Sequence, residues 1–169
     1  MKRPEELSLE LRQGSGPFLA RRRRIAGLSF FAVIMNGIIA LYQLGIIKHL
    51  PDPPLPRFDS DKVDSSRQAY GYFSTPDGAL AVGSYAATLG LAAMGGRDRA
   101  TTQPWIPLLM AAKIAFDNVV STKLTIDQWT KHRAFCIYCL LASAATFATA
   151  PLAVPEGRAA LRRLTGRGE

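Results

Sequence analysis

The stretch RRRRIAGLSFFAVIMNGIIALYQLGIIK, residues 21–48, decides the fold class. Four arginines abut a run from Ile25 to Ile47 that holds no charged side chain. A helix of that length crosses a hydrocarbon core of about 30 Å with some tilt. The run is too long for the apolar region of a signal peptide, and no Ala-x-Ala site follows it. It reads as an uncleaved first span. The missing cleavage site also argues against a twin-arginine signal.

Outward from this run, the charge distribution excludes one function class. The net charge of +8 could suit a nucleic-acid binder, but the basic residues stand in blocks. Arg21 to Arg24 form one block; Arg158, Arg162, Arg163 and Arg167 form another, with long weakly charged segments between. Blocks beside apolar runs fit a membrane protein, whereas nucleic acid calls for charge spread over one soluble face. Two cysteines are too few for a secreted disulfide scaffold.

Three more spans follow. Upstream, Glu5 to Arg12 could form a surface helix in a mobile tail, with Gly14 to Pro17 as a hinge. Downstream, Lys48 to Thr75 is a polar loop in which Pro51, Pro53, Pro54 and Pro56 hold the chain extended. Asp59 and Ser60 can cap a short surface helix with Val63, Tyr70 and Phe73 on one face. Thr75-Pro76-Asp77 reads as a helix start, and the small residues Gly83, Ser84, Gly90 and Ala93 favour close packing of a second span, 78–94. A third span runs from Trp105 to about Leu124. Thr125 to Gln128 matches a capping box, which predicts a fourth helix from there to Val154, ended by Pro155. The expected fold is an all-α membrane bundle of four spans with a short helix in the first outer loop. The flanks 1–24 and 155–169 read as basic tails, both cytoplasmic by the positive-inside rule. The long loop and the cysteines then face the oxidising side.

FCIYCL, residues 135–140, carries both cysteines. Cysteines are common and inert in apolar helices. At i and i+3 on one helix face, however, Cys136 and Cys139 could form a redox pair, with Lys131, His132 and Arg133 favouring the thiolate. A metal alternative sets His132, Cys136 and Cys139 on one stripe, with Asp61 or His49 as a fourth ligand. One helix cannot complete a tetrahedral site, so no metal is expected. Leu140 stands where covalent haem attachment needs a histidine. Lys113 and Asp117 place two charges inside the third span. They either pair across one turn or line an inner cavity. Asp77, at the start of the second span, is a further candidate for ligand binding or proton relay.

Together these features resemble the vitamin K epoxide reductase family over about residues 25–154. The resemblance rests on Cys136-Ile137-Tyr138-Cys139, on VDSSRQAYGYFSTPDGALAVGSY (63–85) with Ser66, Pro76, Gly83 and Tyr85, and on the order of spans. It implies electron transfer from protein thiols to a quinone of the menaquinone or ubiquinone class, with Cys139 facing the quinone and Cys136 exchanging disulfides with the donor. Lys113, Asp117, Ser143 and Asp77 become candidates for quinone binding or proton relay. The loop lacks the family's second cysteine pair, and Ser60 occupies one of its positions. Either an extracytoplasmic thioredoxin-like donor acts directly on Cys136, or the substrate differs, or activity is lost. Ser143 stands where some relatives have a quinone-contacting tyrosine. The rival from another class is a non-catalytic membrane bundle that binds a partner or lipid.

Overall fold

The computed structural model describes residues 3–166; Arg167 of the second basic block lies outside them. The described chain is helical, with one isolated β-bridge: α1 (Pro4–Gln13), α2 (Pro17–Gln43), α3 (Ser60–Asp64), α4 (Asp77–Ala93), α5 (Arg99–Thr102), α6 (Trp105–Asp127) and α7 (Ile137–Leu164). Helix α2 packs against both α4 and α7, α7 packs against α6, and a thinner contact between α4 and α6 closes the ring. Small residues allow this approach. Ala32, Ala92, Ala142, Ala145 and Ala153 are buried in the bundle. A Cβ on Gly78 would stand 2.9 Å from the Ala40 backbone nitrogen. Large apolar side chains point the other way: Phe30, Ile34, Phe116, Val119 and Phe147 are exposed on the outer faces. A belt of that kind fits lipid better than water. Helices α2 and α7 are long and apolar enough to cross a membrane; α4 and α6 complete the bundle.

Several element ends differ from the sequence expectation. The expected tail helix does form, as α1, and Gly14 to Gly16 separate it from α2 as the expected hinge. Helix α2 takes in the arginine block and stops at Gln43, short of Ile47. Positions 24 and 154 therefore fall inside α2 and α7. The loop helix ends at Asp64, and a 3-10 turn over Arg67–Tyr70 follows. Val63 is buried while Phe73 is 90% exposed, so they do not share a surface face. Thr75 does not cap α4; its hydroxyl donates to the Phe73 carbonyl, and Pro76 precedes the first helical residue.

Helix α7 runs through Pro151 and Pro155. Neighbouring helices can compensate for the backbone bonds a proline removes in a bundle. Here Glu156 is clamped by Arg99, and Gly157 lies close against Ala111, which holds the last turns in place. The fourth helix also begins late. Thr125 sits within α6, its hydroxyl bonding back to the Ser121 carbonyl, and a π turn over Gln128–His132 follows. Arg133 then takes the left-handed conformation (φ 50°), which ends the helical run.

Candidate functional site at the start of α7

The late start of α7 places the cysteines at a helix N-terminus. Cys136 is the N-cap, with extended backbone angles, and its Sγ accepts the Cys139 N–H at 3.1 Å. Sulfur is a weak acceptor, and groups distant in sequence complete the cap. Ser60 Oγ accepts the Ile137 N–H at 3.2 Å, and Gln128 Oε1 accepts the Cys136 N–H at 2.9 Å. The loop is pinned over this point by a parallel bridge between Phe58 and Phe135. Trp129 stacks on Phe135, and the Arg57 guanidinium lies 5.0 Å from the Trp129 ring. Tyr138 Oη donates to the Pro51 carbonyl at 3.0 Å. These tertiary contacts outweigh the local capping-box signal at Thr125.

Both cysteines are free thiols, Cys136 fully buried and Cys139 half-buried. Of the first-turn N–H groups of α7, that of Cys139 points at Cys136 Sγ, and the positive end of the helix dipole lies beside that sulfur. Of the expected cationic cluster, Lys131 is drawn away to Asp127 at 2.8 Å, where Lys123 also binds at 2.9 Å. An acid stands beside the pair instead. Cys139 Sγ donates to Asp64 Oδ1 at 3.5 Å, and Asp64 Oδ2 has no hydrogen-bond partner among the described residues. Burial raises the Asp64 carboxyl to about 7, opposed by the hydrogen bonds from Cys136 and Cys139.

The His132 stripe does not exist, since His132 lies in the π turn and Cys136 is extended. Its proposed fourth ligands pair with each other instead, His49 Nδ1 lying 2.5 Å from Asp61 Oδ2. Three donor atoms, from Asp64, Cys136 and Cys139, do lie within 4.8 Å of one another. Structural zinc takes four.

The remaining candidates lie deeper. Lys113 donates to Asp117 Oδ2 at 2.5 Å and to the Ser84 carbonyl and hydroxyl at 2.7 Å. Asp117 also accepts from Ser84 Oγ at 3.1 Å. The pair thus ties α6 to α4. The cavity beside Asp117, lined also by Ser29, Tyr85 and Thr146, holds about 10 Å³, room for one water rather than a quinone ring. Ser143 is buried one turn beyond Cys139. Asp77 accepts from Gln43 Nε2 at 2.7 Å, and the same nitrogen donates to the Asp64 carbonyl at 3.2 Å. Asp77 is thereby linked to the thiol site, while Lys113 and Asp117 belong to a separate network.

Asp64 was not apparent as a site residue in the sequence. It is one of several acids in DSDKVD (59–64), and the fold brings it to a cysteine 75 positions away. One signal existed: Ser60, Val63 and Asp64 stand at i, i+3 and i+4, and all three are buried.

A model described as the vitamin K epoxide reductase family matches residues 23–154. No curated protein and no solved structure matches the chain.

Proposed function

Because the chain belongs to the vitamin K epoxide reductase family, we propose that it is a multi-pass membrane oxidoreductase that moves electrons from protein dithiols to a quinone through Cys136 and Cys139. The observation that carries this is the placement of both thiols at the start of an apolar helix, one as its N-cap and the other half-buried one turn on. In this reading α2, α4, α6 and α7 all cross the membrane. Both termini are cytoplasmic, and the thiol end faces the oxidising side.

The cycle needs only exchange and oxidation. A donor thiolate attacks Cys136 Sγ of the Cys136–Cys139 disulfide, and Cys139 leaves with the electron pair of the broken S–S bond. The donor's second thiol then attacks the mixed disulfide, releasing an oxidised donor and a reduced CxxC. Reoxidation closes the S–S bond again and hands two electrons to a quinone near Cys139, which takes up two protons to become quinol. Cys136 is fully buried under the loop, so the donor must displace that loop to reach it. A thioredoxin-like donor protein suits this step, because the loop has no cysteine to pass electrons inward.

The direct test is quinone reduction by the purified protein with a dithiol donor. Turnover in the wild type and none in Cys139→Ser is the expected result. Equal turnover in the two would remove the cysteines from the chemistry and leave a bundle that binds a partner or lipid.

A further inference from the structure

Asp64 has no place in the electron path above, yet its environment is unusual. Its side chain belongs to a residue only 2% exposed. One carboxylate oxygen takes the Cys139 thiol hydrogen and the other has no partner. A buried polar atom without a partner is costly and calls for a reason. The groups that act on Asp64 are Cys136 and Cys139 from α7, Asp77 from α4, Tyr42 from α2 and Asp52 from the loop. None of these is a cation. A purely structural residue at this point would gain by being an amide or apolar.

We propose that Asp64 is the acid–base group of the thiol pair, accepting the Cys139 proton as that sulfur is oxidised and passing it on towards the reduced quinone. This rests on the redox function proposed above. The balance is as follows. When the dithiol is reoxidised, the Cys139 S–H bond breaks and its proton goes to Asp64 Oδ1. The S–S bond to Cys136 forms, and the two electrons leave through Cys139 to the quinone. The proton on Asp64 and the one released from Cys136 supply the two that quinol formation consumes. Asp64 then stands deprotonated for the next cycle. A carboxyl raised to about 7 is matched to such two-way transfer at neutral pH.

The test separates this role from the electron acceptor. In a Cys136→Ser background Cys139 is the only thiol, and its alkylation by iodoacetamide is followed between about pH 5 and 9. With Asp64 intact the rate rises through a limb centred near 7, as the carboxyl becomes able to take the thiol proton. Asp64→Asn removes that limb and Asp64→Glu retains one. In the two-cysteine protein, Asp64→Asn lowers quinone turnover about 100-fold at pH 7, a typical loss for a general acid–base group. An identical limb in Asp64→Asn overturns the proposal. If Asp64→Asn does not fold, the absence of any limb with Asp64 intact overturns it equally. A limb that depends on Asp64 in a protein with no quinone turnover would keep the proton role and sink the electron acceptor.

Discussion

The two ends of the bundle both bury charge, and they treat it in opposite ways. At the arginine end, Arg99 and Glu156 form a bidentate pair at 2.7 and 2.8 Å, and Arg99 Nη1 also donates to the Leu91 and Met94 carbonyls. Arg22 reaches the carbonyls of Ala92, Met94, Gly95 and Gly96, closing the end of α4. At the thiol end Asp64 is met only by thiols, and its Oδ2 has no hydrogen-bond partner among the described residues. A saturated buried network fixes a structure, whereas an under-satisfied one costs stability and is kept where chemistry needs it. The same helices therefore carry a lock at one end and the proposed thiol site at the other.

Substitution at the two ends should then change stability with opposite signs. Glu156→Ala leaves the fully buried Arg99 without its counter-charge, and breaking a buried pair in this way costs about 3–5 kcal/mol. Thermal unfolding in detergent measures it, and a loss under about 1 kcal/mol would mean that water reaches Arg99 and the end is no lock.

Asp64→Asn should stabilise the protein at alkaline pH. The folded carboxyl is raised from 3.8 to about 7, so between those values the folded state holds a proton that the unfolded state has released. Stability therefore falls as pH rises through that window, by on the order of 4 kcal/mol once pH exceeds about 7. The gain from Asp64→Asn is expected at pH 8 and absent below about pH 4. Unfolding midpoints of the two proteins at both pH values decide it; a variant less stable than wild type at pH 8 would put Asp64 in the same class as Glu156.

The helices that carry this contrast were legible in the sequence, though unevenly, while its charged residues were not. Residues 25–47 carry so continuous an apolar pattern that α2 could be read directly, and Trp105 marked the start of α6 correctly. The pairing of Lys113 with Asp117 followed from their i, i+4 spacing. The start of α7 could not be read, because Thr125 to Gln128 satisfies a local capping rule while the observed cap is assembled from Ser60, Gln128 and Cys136. Pro155 misled for a related reason. Proline opposes helix locally, but the Arg99–Glu156 pair immediately beyond it holds α7 in register. Signals within one turn gave way wherever a contact from a distant segment was stronger.

The smallest expected effect probes whether the thiol end contains a lock of its own. Ser60 Oγ donates to Asp52 Oδ1 at 2.6 Å while accepting the Ile137 N–H, so one hydroxyl joins the loop to the first turn of α7. Ser60→Ala removes both bonds at a fully buried position. The loss should be about 1 kcal/mol, the usual cost of a missing cap, since Ser60 N–H still holds Asp52 Oδ2 at 2.6 Å. Its more informative consequence is at Cys136, which this segment covers. If the hydroxyl holds the loop closed, a 1 kcal/mol loss in the closed state raises the open population about fivefold, and Cys136 alkylation in a Cys139→Ser background speeds up by the same factor. An unchanged rate, with stability lowered as expected, would show that the Phe58–Phe135 bridge keeps the thiol covered and that the donor must break that contact to reach it.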